Sequence, residues 1–336
     1  MDPVLQIKDL KVEVDTGTAV HSVLDGVTLT LRRGQTLAVV GESGCGKSMT
    51  ALSAMGLLPD RFRIAAGQIL LGEEDLVQVR PQRLRALRGN AMSMIFQEPM
   101  TSLNPVLTVE RQIAEVVELH QDKTGAQARE IALEMLRAVQ IPSPETRLAA
   151  YPHELSGGMR QRVMIAIALA CRPRVIIADE PTTALDVTVQ AQIFRLLREL
   201  QMQTDTAIML ITHDMGAVAE MADEVAVLYA GKCIEAGPAA QLLAAPAHPY
   251  TSGLMACTPK LRLGRAALTA PARGLGEIPG MVPPLGQFPP ACRFAPRCAR
   301  ATEKCHATPP ETVRLGPDHE TLCWHPNEAR EAAPAC

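Results

Sequence analysis

Thr36-Leu37-Ala38-Val39-Val40-Gly41-Glu42-Ser43-Gly44-Cys45-Gly46-Lys47-Ser48 is the stretch on which the fold turns. A short uncharged run leads into a segment, Gly41 to Ser48, that matches GxxxxGK[ST]. Continuous apolar runs of this length are strands buried on both faces. The glycines let the backbone wrap phosphate groups, with amide N–H groups and the next helix's N-terminus facing negative charge. Lys47 is placed to reach the β- and γ-phosphates of a nucleotide, and the Ser48 hydroxyl to ligate Mg²⁺. Met49 then continues the helix. A chance glycine-rich turn could carry the same letters. The strand before it and the helix after it are what a phosphate loop requires.

Working outward, three more apolar runs of the same kind occur at Ala91–Phe96, Val175–Ala178 and Thr206–Ile211. Helical stretches separate them, so an α/β fold with a mainly parallel sheet is expected. Before the loop, Leu10, Val12 and Val14 alternate with polar residues, and Val27, Leu29 and Leu31 repeat the pattern. Asp15-Thr16-Gly17 marks a turn between these two strands. Residues 110–148 are mostly helical in pattern, ended by Pro142 and Pro144. Ala230-Gly231 predicts a tight turn between two short strands. Beyond Pro246, Pro, Gly and Cys accumulate and helical periodicity fades. The expected organisation is an ATPase-type domain over residues 1–245 and a small extension over 246–336.

Composition narrows the class. The chain has 336 residues, of which 47% are hydrophobic but only 3% aromatic, so the core must be aliphatic. A net charge of −3 carries no nucleic-acid or anionic-lipid footprint. Asp2, Lys8, Asp9, Lys11 and Glu13 break any apolar export signal at the N-terminus. The longest apolar run, Val163–Cys171, falls short of the roughly 20 residues that span a bilayer. A soluble, cytoplasmic chain that reaches a membrane only through partners is expected.

Val175-Ile176-Ile177-Ala178-Asp179-Glu180 is an apolar strand ending in adjacent carboxylates. Asp179 is suited to hold Mg²⁺, and Glu180 to polarise an attacking water as general base. Two solvated charges at a strand end would be the ordinary reading without a phosphate loop upstream. Leu155-Ser156-Gly157-Gly158-Met159 opens a helix that Ser156 can cap, with glycines leaving the amides open to an anion.

LSGG between a phosphate loop and an apolar-Asp-Glu strand resembles the ABC ATPases. The resemblance runs over roughly residues 5–240 and implies ATP as nucleotide. It also implies an N-terminal antiparallel β-subdomain and a helical subdomain carrying the signature. Gln97 then resembles the Q-loop glutamine that senses Mg²⁺ and the lytic water, Ala184-Leu185-Asp186 the D-loop, and His213 the switch histidine near the γ-phosphate. Alone, a Gln or His at a strand end is a surface polar group. In that family two ATPase subunits close head to tail, so Ser156, Gly157 and Gly158 would act on the partner's ATP. Two departures stand out. Met159 replaces a frequent Gln, and no aromatic residue precedes Phe62 to stack on adenine. Val14 stands near that place, with His21 as a substitute.

Longer stretches narrow the resemblance. Phe96-Gln97-Glu98-Pro99-Met100-Thr101-Ser102-Leu103-Asn104-Pro105, Tyr151-Pro152-His153-Glu154, Ala178 to Val187 and His248-Pro249-Tyr250-Thr251 are similar to dipeptide and oligopeptide importer ATPases. LSGGM points to the D-type subunit. The implied partners are an F-type ATPase subunit, two membrane permeases and, indirectly, an extracytoplasmic solute-binding protein. The implied place is the cytoplasmic side of the cell membrane. Nickel or glutathione-type importers, and a soluble non-transport ABC ATPase, are the alternatives. The last would carry long coiled-coil insertions, and only about a hundred residues without heptads separate the two motifs here. Cys292, Cys298, Cys305 and Cys323 can hold an iron–sulfur cluster or zinc, or remain buried thiols. Their spacings are longer than in common zinc sites, and the resemblance implies a [4Fe–4S] cluster.

Overall fold

The structure, a computed structural model, describes residues 2–97, 102–183, 185–257 and 277–327. Its strands are β1 (Pro3–Asp15), β2 (Val20–Arg32), β3 (Thr36–Val40), β4 (Phe62–Leu71), β5 (Glu74–Asp75) and β6 (Met92–Ile95). They continue with β7 (Val175–Asp179), β8 (Ala207–Thr212), β9 (Glu224–Tyr229), β10 (Lys232–Pro238), β11 (Thr312–Arg314) and β12 (Glu320–Leu322). Two sheets result. One is antiparallel, in the order β2-β1-β4-β5. The other runs β11-β12-β10-β9-β3-β8-β7-β6, with β9, β3, β8, β7 and β6 mutually parallel.

Three of the four apolar runs expected to be buried on both faces are so; in the fourth, Met92–Ile95 are buried while Ala91 is half-buried and Phe96 exposed. Every residue of β3, β7 and β8 is buried. Period-two alternation divides them between two cores. Ile176, Ala178, Ile208 and Leu210 face a core made with the helices Val109–Gln121, Gly125–Ala138, Gly157–Leu169 and Val187–Thr204. Val175, Ile177, Met209 and Ile211 face the opposite core, closed by Leu10, Val12, Val27, Leu29 and Leu31 of the antiparallel sheet. Observed ends differ from the expected ones by a residue or so. β7 runs on to Asp179 and β8 to Thr212, because the ladder with the neighbouring strand continues through those positions.

Ala230 and Gly231, at φ 46° and 80°, form the two-residue loop that joins β9 to β10. Left-handed backbone at both positions matches the twist of the flanking strands. Described residues after 246 pack against the rest of the chain. β12 pairs with β10, Glu235 opposite Thr321, so the extension lengthens the main sheet and covers what would be its edge. Tyr250 and Phe294 then complete a third core with Val40, Val227 and Tyr229.

Candidate functional site

The phosphate loop leaves the C-terminal end of β3 and enters the helix Lys47–Met55. Gly41 is obligatory for space: a Cβ there would lie 2.2 Å from the Leu228 carbonyl oxygen and 2.7 Å from Cys45 Sγ. Lys47 is buried and its Nζ donates to the loop's own carbonyls, Gly41 O at 2.7 Å and Glu42 O at 3.0 Å. The ammonium is thereby held against the loop's own backbone.

Ser48 Oγ donates to Asp179 Oδ1 at 3.2 Å. Adjacent oxygens on an octahedral Mg²⁺, each at about 2.1 Å, stand about 3 Å apart. The hydroxyl and carboxylate therefore fit one cation. Burial raises the Asp179 pKa, and the Ser48 hydrogen bond offsets only part of that rise.

Glu180 follows at φ 47°, a left-handed conformation that costs a non-glycine residue about 1 kcal/mol or more. Its N–H donates to Ile211 O on β8 at 2.9 Å, which fixes the bend. Three donors converge on the side chain. Gln97 Nε2 reaches Oε2 at 2.9 Å, Thr183 Oγ1 reaches Oε2 at 2.9 Å, and His213 Nδ1 lies 3.2 Å from Oε1. Burial opposes ionisation of Glu180. The hydrogen bonds from Thr183 and His213 and the charge of Lys47 outweigh it and hold the carboxyl below its usual range. Glu180 is thus a carboxylate at neutral pH, able to accept a proton.

Lys47, Ser48, Gln97, Asp179, Glu180 and His213 therefore gather at the C-terminal ends of four parallel strands, where open α/β sheets bind ligands. Ser156, Gly157, Gly158 and Asp186 are set differently. Ser156 caps its helix by accepting from Met159 N, and Asp186 caps the next by accepting from Val189 N at 3.0 Å. Ser156, Gly157 and Asp186 are exposed. Met159 packs partly into the helical core. Glu98 to Thr101 of the Q-loop and Ala184 of the D-loop lie outside the described residues, as does Cys336.

Across the β1–β2 ladder, Val14 pairs with His21, so the two residues weighed for adenine stacking are neighbours. The His21 ring lies against Gly286 of the extension, where a Cβ would come within 2.7 Å of it.

Cys292, Cys298, Cys305 and Cys323 line one small cavity with His248, Phe294, Trp324 and His325. Burial, then the other three sulfurs, pushes the Cys323 thiol up to about 11. Among the described residues no group of three or more His, Cys, Asp and Glu side chains is arranged to hold a metal ion. The four cysteines expected to act together border one cavity, and no group arranged to hold a metal is found among them.

Two contacts have no counterpart in the motifs. Arg297 pairs with Glu42 of the phosphate loop at 2.7 Å, and the Glu42 N–H donates to Tyr250 Oη at 2.9 Å. Tyr250 lies in His248-Pro249-Tyr250-Thr251, a stretch noticed in the sequence without any role. Arg297 lies in no motif at all.

A family model described as "ABC transporter" matches residues 24–183, and one described as "Oligopeptide/dipeptide transporter, C-terminal region" matches residues 234–305. The dipeptide transport ATP-binding protein DppD of Bacillus subtilis is 46% identical over 334 residues, covering 99% of this chain and 98% of that protein. This chain belongs to the ABC transporter ATP-binding proteins. The oligopeptide transport ATP-binding protein OppD of Haemophilus influenzae is 47% identical over 326 residues, covering 96% of this ABC ATPase and 98% of its own length. Among solved structures, a post-hydrolysis dimer of the ATP-binding cassette MJ0796 bound to ADP and Pi superposes with a TM-score of 0.63. It is 25% identical, and the match covers 70% of this chain and 98% of that one. A cbiO1 structure from Clostridium perfringens, part of the cbiONQ complex, gives a TM-score of 0.62 at 26% identity, covering 73% and 92%.

The ABC ATPase thus binds and hydrolyses ATP with Mg²⁺, as a dimerising subunit with membrane permease partners. Among the described residues no helix is long and apolar enough to cross a membrane.

Proposed function

We propose that this chain is the D-type ATPase subunit of a dipeptide or oligopeptide importer, paired head to tail with a separate F-type ATPase subunit. The observation that carries the reading is the extension. Its sequence matches the C-terminal region of oligopeptide/dipeptide transporters, and its Arg297 and Tyr250 both contact Glu42 of the phosphate loop. The reading divides the chain into an ATPase domain, 1–245, and an importer-type extension, 246–336. It docks the assembly on two permeases at the cytoplasmic face of the cell membrane. A solute-binding protein on the far side delivers the peptide.

In this reading Lys47 and the amides of Gly41 to Ser48, continued by Met49, hold the ATP phosphates. Ser48, Asp179 and Gln97 hold Mg²⁺, which when bound neutralises charge on the β- and γ-phosphate oxygens. Glu180 takes a proton from the attacking water while Gln97 and His213 orient it. In this reading the chain covers only one side of the γ-phosphate. Exposed Ser156 and Gly157, with half-buried Gly158, supply the other side for the partner's nucleotide, and Asp186 lies between the two sites. Charge developing in phosphoryl transfer is then stabilised only when both subunits close, and that closure drives the permeases.

The four cysteines are read as the ligands of a [4Fe–4S] cluster rather than zinc. One zinc ion would need four sulfurs about 2.3 Å from a single point. Each thiolate of a four-iron cluster binds a different iron, so a wider cage suffices. What supports the reading is that all four cysteines border one cavity.

Uptake into vesicles holding the whole transporter tests the assignment. ATP-dependent accumulation of labelled di- and oligopeptides is expected. Uptake of a nickel chelate or glutathione with no peptide uptake would overturn the substrate class, and ATP turnover uncoupled from any permease would overturn transport itself.

A further inference from the structure

The phosphate loop of this protein contains an acid. Glu42 is the second residue of a segment whose task is to attract phosphate, and a bare carboxylate there would repel the ligand. The structure shows what offsets it. Arg297 Nη1 donates to Glu42 Oε2 at 2.7 Å and Nη2 to Oε1 at 3.1 Å, a bidentate pair. The Arg297 side chain is only 5% exposed. It is held in place by Pro279 O at 2.8 Å from Nε and Ile278 O at 3.3 Å from Nη2, with the Tyr229 hydroxyl near Nη1. Planar, two-point pairing of this kind fixes direction as well as charge.

The same turn of the extension also holds residues that neighbour the loop. Arg293 donates to Asp25 at 2.7 Å and to the Ala230 carbonyl. The next residue, Gly231, donates its N–H to Cys45 O at 3.0 Å. Tyr250 Oη accepts from the Glu42 N–H. Residue 42 is therefore held through side chain and backbone by residues more than two hundred positions away. Its own carbonyl in turn accepts from Lys47 Nζ.

We infer that Arg297 is a positioning residue for ATP binding: it neutralises Glu42 and fixes the phosphate loop from the C-terminal extension. The extension then sets nucleotide affinity without touching the nucleotide. This rests on the phosphate-loop reading of Gly41 to Ser48.

Charge neutralisation predicts effects of opposite sign. Arg297→Gln leaves the Glu42 carboxylate uncompensated and weakens ATP binding about tenfold, the order expected of one charge at the rim of the site. Glu42→Gln leaves the guanidinium facing the phosphates and tightens binding several-fold. The double variant returns close to the unaltered affinity. ADP, with less charge, follows the same order with smaller steps. The measurement is the Kd of the full chain for ATP and ADP, by titration calorimetry under conditions of negligible turnover. A purely structural Arg297 would weaken binding in all three variants. That result, an unchanged Kd in Arg297→Gln, or a double variant as weak as Arg297→Gln would overturn the inference. If Arg297→Gln does not fold, Glu42→Gln still decides by the sign of its effect. Failure of the unaltered chain to bind ATP would overturn the phosphate-loop reading, and this inference with it.

Discussion

Gln97 Nε2 donates a 2.9 Å hydrogen bond to Glu180 Oε2, which ties the residue two beyond β6 to the residue after β7. His213, beyond β8, approaches the other carboxylate oxygen at 3.2 Å. Three strand ends thus hold one carboxylate, and its two oxygens are engaged by different loops. A movement of either loop would re-aim this carboxylate.

Glu180→Gln keeps the shape and most of these hydrogen bonds but removes the proton acceptor. ATP binding by the assembled complex is expected to persist while turnover falls by about 10²–10⁴-fold, the usual contribution of a general base. Equilibrium nucleotide binding and phosphate release on the same preparation check this. Turnover near that of the unaltered complex would remove Glu180 from the role.

Anaerobically purified protein is expected to be brown, to absorb near ~400 nm and to contain about four irons per chain. Cys298→Ser should remove colour and iron together. It should also lower the melting temperature, because a cluster ligated by Cys298 and the other three cysteines that line the cavity would tie their segments together. Zinc without iron in metal analysis would reject the cluster.

Much of the nucleotide site is legible in the sequence because its parts are local. Thr36 to Val40 is buried on both faces, and an uncharged run of that length says so before any coordinates. The Asp179-Glu180 pair ends such a run, and its meaning follows once a phosphate loop precedes it. Thr183 is harder. Its hydroxyl serves Glu180 only because Glu180 takes a left-handed backbone that brings Thr183 N–H back to Glu180 O. The Arg297–Glu42 pair is not legible at all. Its members are 255 positions apart, and an arginine in a Pro-rich segment has no periodicity to mark it. The composition change at Pro246 marks where the extension begins and no more than that. A composition shift carries no information about strand pairing, and β12 in fact continues the main sheet.

His248 links that extension to the nucleotide loop through pH. The ring is buried, and burial pushes its pKa down to about 3, against an ordinary 6.5. Nδ1 accepts the Tyr250 N–H at 3.0 Å, so the neutral ring fits and a protonated one would set donor against donor. The folded state therefore refuses a proton that the unfolded chain takes up below about pH 6.5. The stability from this residue is fully present above that pH and drains as pH falls toward 3. Between pH 7 and pH 5, where most carboxylates stay ionised, the melting temperature should fall by a few degrees. His248→Asn keeps an acceptor for the Tyr250 N–H but cannot take a proton, so its melting temperature should be lower at pH 7 and flatter across the same range. Thermal melts of both chains at matched ionic strength check this. An equal slope in the two would show that His248 is not the group that titrates. Because Tyr250 also holds the Glu42 N–H, the same acid range should weaken ATP binding in the unaltered chain more than in His248→Asn.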